Sequence, residues 1–350
     1  MTRVRASELE FVRPEGVGES SVVSAFRVPP EAEGRRLDVF VHSQLHRTSR
    51  TRAQTIVRTS AYGVDGKRLK PNDRVRADQE ILLWRAPWDE TPVPVEVPVL
   101  YEDEHLLAVD KPALLPVHPT ARYHRNTLIK VLQAARPECA FLSLAHRLDR
   151  ETSGVLVVSK TRACDRAIKK RLERREGVIK TYTAIARGVP VGCGVGAGAP
   201  LRCELPVEID RTSPLKVKMR VGRGSESMTA STVFEVREVR RKGDRGPYAL
   251  VRCGLETGRQ HQIRVHLAAL GAPVVGDKLY GPDDRAFARF ADGELTADDL
   301  ERLEMGRHAL HATRLELPHP MTDEPFAVEA PLPADMRAFW DGLSAPASDA

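Results

Sequence analysis

The sequence lacks the long apolar segments that membrane and exported proteins carry. No apolar run in its 350 residues approaches the roughly 18 residues that a membrane-spanning helix requires. The first residues, MTRVRASELEF, contain no apolar core of a secretion signal. Apolar residues make up 41% and charged residues 29% of the chain, as in an ordinary globular protein. We therefore expect a cytoplasmic protein without membrane contact.

The cysteines and histidines have neither the number nor the spacing of a metal site or a disulfide framework. The five cysteines are odd in number, and no two of them form a CxxC pair. His261 and His266 are five residues apart on a predicted helix, so they face apart and cannot share a zinc ion. His308 and His311 have no third ligand at a suitable spacing. The sequence therefore predicts no metal and a reducing compartment.

Nucleotide-binding loops are also missing. The chain contains no GxxxxGK(S/T) phosphate loop. The glycine-rich segment at 192–198 is followed by Pro200 and an extended stretch, where a dinucleotide-binding loop requires a helix. We expect this segment to be a flexible loop and the protein to use no small-molecule cofactor.

Positive charge is unevenly distributed along the chain. The net charge is only +6, but residues 34–85 contain 12 Lys and Arg against 5 Asp and Glu. A compact basic segment beside a nearly neutral remainder is typical of nucleic-acid binding. A solvated basic face without a ligand is the alternative.

The basic segment has the pattern of two helices followed by a small hairpin. Apolar residues between 35 and 60 recur at intervals of three and four, which is the helical period. The stretch 62–67 contains an Asp-Gly pair, the preferred turn of a hairpin, and 75–84 has the pattern of a further strand. Before it, residues 21–28 are predicted to form one edge strand.

This arrangement resembles the ribosomal-protein S-four-type RNA-binding domain. The resemblance rests on RLD at 36–38, SRTR at 49–52 and GVDGK at 63–67; the usual Gly-Asp near the end is here Ala77-Asp78. It implies that the segment binds RNA. The residues expected to contact RNA are Arg47, Arg50, Arg52, Arg58, Lys67 and Arg68.

A proline-rich stretch separates this segment from the rest of the chain. Four prolines fall between 86 and 98, a density that favours an extended linker. We therefore expect an N-terminal extension at 1–30, a small α/β RNA-binding domain at 31–90 and a larger domain at 91–342.

The larger domain alternates short strands with a few helices. Helices are predicted at 126–135, 161–176 and 260–270, and strands fill most of the remainder. Strands in series, joined by turns rather than by regular helical crossovers, are typical of an α+β fold with a mixed, mainly antiparallel sheet. The acidic, helix-prone segment at 283–305 is predicted to be a surface insertion without an assigned function.

One segment of this domain carries the strongest chemical signal. In HRLDRETSG, at 146–154, Asp149 lies between Arg147 and Arg150 on a predicted turn between two strands. Nearby positive charge lowers the pKa of a carboxyl group and keeps it ionised. An ionised carboxylate suits a nucleophile or a base, whereas a general acid needs its proton. For an isolated aspartate the alternative is a salt-bridged surface turn.

Three ordered motifs resemble those of the RluA-type pseudouridine synthases. They are HRLDRETSG, KTY at 180–182 and TGRQHQIRVH at 257–266, with support from DKP at 110–112, GDKLYG at 276–281 and LHA at 310–312. Glu151 stands where many relatives carry Asp, which we expect to leave the chemistry unchanged. The resemblance covers about 95–335. It implies a catalytic domain with helices and loops around a central cleft, which isomerises uridine in RNA to pseudouridine without cofactor or metal.

The resemblance also implies roles for three residues. Asp149 is the essential catalytic carboxylate, Tyr182 stacks beside the target base, and Arg264 pairs with Asp149. Positive charge develops at the anomeric carbon when the glycosidic bond breaks, and a carboxylate can stabilise it or attack covalently. The carboxylate can instead remove a proton from the neighbouring sugar carbon. The sequence leaves these routes open.

Further RNA contacts are expected around Asp149. Enzymes that act on a base extrude it from its stack, and Arg147 is placed to fill the vacated space. His146 and Arg150 are expected to contact the RNA backbone, and the basic face of the helix at 161–176, with Lys170 and Arg174, to follow phosphates. For each of these residues a structural salt bridge is the alternative.

Two other functions fit parts of the pattern. A non-catalytic RNA-binding or ribosome-assembly factor is expected to lack Asp149, Tyr182 or Arg264, and all three are present. A nucleoside or glycoside hydrolase needs a second carboxylate as acid, and Glu151 is poorly placed in the same turn. We therefore expect a monomeric RNA pseudouridine synthase. The basic segment favours large-subunit rRNA as substrate. A tRNA substrate is the alternative, because LPVHPTARY at 115–123 looks similar to the same stretch of relatives that act on tRNA.

Overall fold

The chain divides into two compact units, Met1–Glu90 and Thr91–Ala350. The structure is a computed structural model that describes residues 3–4, 6, 9–19, 21–45, 48–86, 90–119, 123–196, 200–281, 283 and 285–344. Within these ranges no helix is long and apolar enough to cross a bilayer.

The first unit is a four-stranded antiparallel sheet with two helices. Its elements are β1 (Arg3–Val4), β2 (Val22–Arg27), α1 (Leu37–Gln44), α2 (Arg50–Ser60), β3 (Ala61–Gly63) and β4 (Glu80–Arg85). The strands lie in the order β1-β2-β4-β3. The edge position predicted for 21–28 is wrong, because the two-residue β1 pairs with the outer side of β2. The strand predicted at 75–84 begins only at Glu80.

Local chemistry explains where α2 begins and where the hairpin turns. Ser49 Oγ accepts a hydrogen bond from Arg52 N at 3.2 Å, which satisfies a free amide at the start of α2. After β3 the chain turns at Gly66, whose φ of +78° suits glycine. Asp65 Oδ1 accepts from Lys67 N at 3.1 Å and stabilises this turn.

The second unit is built on one large mixed sheet. Its strands are β5 (Val99–Glu102), β6 (Leu106–Lys111), β7 (Ser143–Leu144), β8 (Ser153–Ser159), β9 (Ile179–Arg187), β10 (Leu201–Cys203), β11 (Val207–Ile209), β12 (Met219–Val221), β13 (Thr232–Arg241), β14 (Pro247–Leu255), β15 (Leu310–Pro318) and β16 (Pro325–Glu329). The main path of the large sheet is β10-β13-β14-β9-β15-β8-β6-β5, with β7 beside β8 and β16 beside β15, and β11 and β12 form a separate two-stranded sheet. β8 and β15 pair in parallel, and the other described pairs are antiparallel. The predicted α+β class with a mainly antiparallel sheet is confirmed.

The helices of this unit are short. They are α3 (Leu128–Ala135), α4 (Arg162–Arg174), α5 (Gln262–Ala269), α6 (Arg285–Asp292), α7 (Ala297–Leu303) and α8 (Ala334–Asp341). Thr161 begins α4 as predicted, because its Oγ1 accepts from Cys164 N at 3.2 Å. α4 ends at Arg174, two residues before the predicted end, and the next residue, Arg175, has a left-handed φ of +61°.

The sheet is covered on both faces around β8. Leu156 and Val158 belong to the main core, which includes residues of α3, α5 and α8. Val155 and Val157 face a second core that includes Ile168 of α4. Burial on both faces explains why β8 is apolar without alternation.

Gly154 allows β8 to approach β15 closely. Its φ is +110°, and a side chain at this position would overlap the carbonyl oxygen of Ala312. Because an L side chain neither adopts this φ nor fits this space, glycine is required. The contact anchors the end of the HRLDRETSG turn on β15, beside β9.

The segment at 283–305 forms α6 and α7, so its predicted helical character agrees with the structure. It is more than a surface insertion, however, because Ala286 and Leu303 are buried. Arg289 bridges Asp283 and Asp299, which ties the start of α6 to α7.

Candidate active site

A cleft of about 380 Å³ brings together the three residues implied as catalytic. Its walls include Asp149 from the turn before β8, Tyr182 from β9 and Arg264 from α5. Asp149 and Tyr182 meet because β15 pairs with both β8 and β9. Of the described residues that line this cleft, Asp149 is the one carboxylate.

Arg264 connects Asp149 to a second, buried aspartate. Its Nη1 donates to Asp149 Oδ2 at 3.0 Å. Its Nε and Nη2 donate to the two carboxylate oxygens of Asp277, at 2.6 and 2.8 Å. Asp277 Oδ1 also accepts from the backbone amides of Leu279 and Tyr280. This bidentate clamp fixes the plane of the guanidinium and aims Nη1 at Asp149.

The surroundings keep Asp149 ionised. Burial would raise the pKa of Asp149, but His261 and Arg264 outweigh it and lower that pKa to about 2. Burial lowers the pKa of His261 to about 4, so His261 is uncharged at neutral pH. Arg264 is therefore the cation that holds the charge of Asp149 near pH 7. The side chain of Asp149 remains 23% exposed, which leaves it open to a substrate.

Tyr182 lies beside Asp149 with its side chain largely buried. Burial, and then the negative charge of Asp149, raise the pKa of the Tyr182 phenol well above its usual range. The phenol therefore keeps its proton near neutral pH. Its ring adds a flat apolar surface to the cleft, suited to stacking against a base.

Buried contacts hold the turn that carries Asp149. The Nζ of the fully buried Lys111 donates to Arg150 O at 3.1 Å and to Leu115 O at 2.9 Å. Lys278 Nζ donates to both oxygens of Glu151, at 3.1 and 3.0 Å. Phe290 of α6 reaches the same turn, with Lys278 Nζ 4.4 Å and Arg150 Cζ 4.6 Å from its ring centre. The predicted insertion thus packs against the turn that carries Asp149.

Sequence reasoning missed the contributions of Asp277 and His261. Asp277 lies in GDKLYG, which carried the family resemblance without a role of its own. The available signal was its position next to Gly276 in a short motif that ends at Gly281. His261 was considered only as a zinc ligand, yet its Nε2 lies 3.8 Å from Asp149 Oδ2. Within the described ranges no cluster of three potential metal ligands occurs.

The RNA contacts predicted near Asp149 have different surroundings. Arg147 is exposed at the cleft. His146 Nε2 accepts from Val157 N at 3.3 Å, and burial lowers its pKa to about 3, so it carries no charge near pH 7. Arg150 donates to Tyr123 Oη at 2.9 Å. Lys170 and Arg174 lie on the exposed side of α4.

In the first unit, the predicted RNA-contacting side chains lie at the surface. Arg50, Arg52 and Arg58 project from α2 and are exposed. Lys67 and Arg68 are exposed at and after the hairpin turn. Arg47 lies outside the described residues.

The fold is that of a pseudouridylate synthase domain. The structure aligns with human RNA pseudouridylate synthase domain containing 4 with a TM-score of 0.52 and 26% identity, covering 71% of this chain and 95% of that one. It aligns with human RNA pseudouridylate synthase domain containing 1 with a TM-score of 0.55 and 24% identity, covering 73% and 91%.

Sequence comparison narrows this class to a family. The family model for RNA pseudouridylate synthase matches residues 105–269. Ribosomal large subunit pseudouridine synthase D of Xanthomonas campestris is 34% identical over 90% of this chain and 91% of its own length. Ribosomal large subunit pseudouridine synthase C of Escherichia coli K12 is 33% identical over 91% and 96%. The chain therefore belongs to the RluA-type family of RNA pseudouridine synthases, as its motifs indicated.

Proposed function

We propose that this protein converts specific uridines of large-subunit rRNA to pseudouridine, with Asp149 as the catalytic carboxylate. The observation that carries the proposal is the cleft in which the ionised Asp149 lies beside Tyr182 and is held by Arg264. The relatives at 33–34% identity are named as large-subunit synthases, which supports rRNA over tRNA.

The reaction breaks one bond to the sugar and forms another. The bond between uracil N1 and ribose C1′ breaks, the base turns within the cleft, and uracil C5 bonds to C1′. The C5 proton leaves and N1 gains a proton, so the reaction is an isomerisation without an oxidant or a co-substrate. Asp149 stabilises or attacks the electron-poor C1′, or removes a proton from the neighbouring carbon. In each route it acts as the anion that its pKa favours.

Tyr182 and Arg264 assist without changing charge. The ring of Tyr182 stacks on the uracil and keeps the detached base in the cleft, and its protonated phenol lies within the same pocket. Arg264 maintains the charge and the orientation of Asp149 through its clamp on Asp277.

The number and the charge of the carboxyl groups at the site argue against a glycoside hydrolase. Glycoside hydrolysis uses two carboxyl groups, one of which must be protonated to act as the acid. Among the described residues of the cleft lining, Asp149 is the sole carboxylate. Asp277 is clamped by Arg264, which lowers its pKa against the effect of burial, and Glu151 accepts two hydrogen bonds from Lys278. Neither offers a proton to a leaving group.

The first unit supports RNA binding by its surface charge. It resembles an S-four-type domain, with exposed arginines on α2 and exposed Lys67 and Arg68 at its hairpin. We propose that residues 31–90 hold the RNA while residues 91–342 catalyse the reaction. In the catalytic domain, Arg147 fills the space that the extruded base leaves, and Lys170 and Arg174 follow the phosphates. No small-molecule cofactor enters this scheme, and a monomer suffices for it.

Pseudouridine mapping of total RNA tests this proposal. RNA from cells with and without the gene is compared, and both are compared with cells that carry the Asp149→Asn variant. We expect specific large-subunit rRNA positions to lose pseudouridine in the deletion and in the variant. Loss of pseudouridine only from tRNA would show that tRNA is the substrate instead of rRNA. An unchanged pseudouridine map would overturn the proposal.

A further inference from the structure

His261 has an unusual backbone conformation at the edge of the cleft. It occupies the position just before α5 with φ +56° and ψ +15°, a left-handed conformation that non-glycine residues adopt infrequently. Such a conformation persists only where its surroundings hold it, and it is frequent at functional sites. It turns the imidazole into the cleft, where Nε2 lies 3.8 Å from Asp149 Oδ2.

A hydrogen bond joins Tyr280 to one ring nitrogen of His261. Tyr280 Oη lies 2.8 Å from His261 Nδ1 and accepts a hydrogen bond from Met219 N at 2.9 Å. A backbone amide can only donate, so the hydroxyl proton is available for another acceptor. Among the described residues, His261 Nδ1 is the acceptor within its reach. The arrangement in which the hydroxyl donates to Nδ1 gives the hydroxyl proton an acceptor in the protein, and it places the proton of a neutral His261 on Nε2.

The space between His261 Nε2 and Asp149 Oδ2 is suited to binding a hydroxyl group. A separation of 3.8 Å is too long for a direct hydrogen bond, but one oxygen atom placed beside both groups can bond to each. That atom must accept from Nε2–H and donate to the carboxylate. A carbonyl oxygen only accepts, whereas a hydroxyl does both. In an internal nucleotide of RNA the 3′ and 5′ oxygens are esterified, which leaves the 2′-hydroxyl.

We infer that His261 and Asp149 together bind the 2′-hydroxyl of the target nucleotide, with His261 Nε2 as donor and Tyr280 as the residue that fixes its tautomer. The inference rests on the proposed function, since it places the target ribose at Asp149. The 2′-hydroxyl is attached to the carbon next to C1′, so the contact also holds C1′ close to the carboxylate. His261 is then a substrate-contacting residue that distinguishes RNA from DNA, and Tyr280 is a positioning residue.

Nitrogen NMR of the full chain tests the tautomer without any activity. With ¹⁵N-labelled histidine at neutral pH, and with His261→Asn to assign the signal, we expect His261 to have a protonated Nε2 and a bare Nδ1. Tyr280→Phe should alter the balance between tautomers. Tyr248→Phe is the matched control, because Tyr248 Oη bonds to Glu304 instead, and it should leave the His261 signal unchanged. A proton on Nδ1, or a doubly protonated ring, would overturn the inference.

RNA binding tests the contact itself. An rRNA fragment that contains a mapped target is made with either ribose or 2′-deoxyribose at the target position, and affinity is measured before turnover. His261→Asn tolerates the left-handed backbone but loses the donor at Nε2, so it should bind the ribose form about tenfold more weakly than the wild type. His261→Gln, whose amide reaches the same place, should recover part of this loss. On the 2′-deoxy form the wild type and His261→Asn should bind alike, and an equal ratio on both RNAs would contradict the contact. If no target uridine exists, the proposed function fails, while the NMR result still decides the tautomer.

Discussion

Arg264 donates two hydrogen bonds to the carboxylate of Asp277, from Nε at 2.6 Å and from Nη2 at 2.8 Å. Both side chains are buried. This ion pair fixes the guanidinium of Arg264, so that its remaining donor, Nη1, reaches Asp149. We therefore expect Asp277 to act on the reaction through Arg264, without touching the substrate.

Asp277→Asn should lower both activity and stability. The buried Arg264 then loses the more buried of its two anionic partners and keeps only Asp149, and breaking a buried ion pair typically costs about 3 kcal/mol of unfolding free energy. We expect kcat to fall more than KM rises, because Asp149 loses its orientation while the cleft keeps its shape. Urea unfolding and steady-state kinetics measure the two effects. Asp298→Asn removes an exposed partner of Arg302 and serves as control, with little change expected in either.

Neither Asp149 nor Tyr182 should contribute to the pH dependence of kcat between pH 5 and 8, whereas Lys111, which holds the turn that carries Asp149 and whose pKa burial lowers to about 7, titrates within this range. The pKa of Asp149 lies near 2 and that of Tyr182 is raised, so neither group titrates in this range. Since the folded pKa of Asp149 lies below its unfolded value near 3.9, its stabilising effect is complete above about pH 5 and is lost towards pH 2.

Removal of the positive charge of Arg264 should raise the pKa of Asp149 into the pH range in which kcat can be measured. In Arg264→Gln, burial acts with less opposition and raises the pKa of Asp149, so the rate should fall on the acid side of neutrality. Arg264→Lys keeps one positive charge and should shift the profile less. A profile of kcat that is identical in the wild type and Arg264→Gln would show that Arg264 does not control the charge of Asp149.

Phe290 should influence the reaction although it lies outside the cleft lining. Its ring contacts Arg150, which lies in the turn that carries Asp149, and Lys278, which donates to Glu151 of the same turn; such cation–ring contacts are worth about 1 kcal/mol each. We expect Phe290→Ala to lower kcat by roughly threefold to tenfold with little change in KM. Phe290→Tyr keeps the ring and should retain activity. Phe287→Ala, on the same helix, is the control, and an equal loss in both alanine variants would assign the effect to helix stability alone.

The arginines of α2 should contribute to binding rather than to chemistry. Replacement of Arg50, Arg52 and Arg58 by Gln should weaken RNA binding and lower the slope of log K against log salt by about 2 to 3. Deletion of residues 1–90 should likewise reduce binding more than single-turnover chemistry. Equal affinity of the deletion variant and the full chain at physiological salt would exclude an RNA-binding role for this unit.

The sequence was sufficient to predict the fold class, the family and the meeting of Asp149 with Arg264. The fold class follows from strands in series joined by turns, and the family and the contact follow from long motifs that occur in a specific order along the chain. The edge position predicted for β2 was wrong because its neighbour β1 is two residues long and has no periodicity to detect. The contact of Phe290 with Arg150 joins residues 140 positions apart in sequence, and no local pattern encodes it.

The partners of the site residues were harder to predict than the residues themselves. Asp277 and Lys278 are adjacent in sequence yet hold different groups, Arg264 and Glu151, because the turn at Gly276 directs their side chains apart. The orientation of His261 depends on a left-handed backbone and on Tyr280, neither of which follows from helical periodicity.

Tritium release from [5-³H]uridine-labelled large-subunit rRNA tests the role of Asp149 most directly. Asp244→Asn is the control, because Asp244 is exposed and does not line the cleft. The wild type and this variant should release tritium at equal rates. Asp149→Asn should release none while it binds the same RNA with nearly unchanged affinity. Turnover by the Asp149→Asn protein would contradict the central claim that this carboxylate performs the reaction.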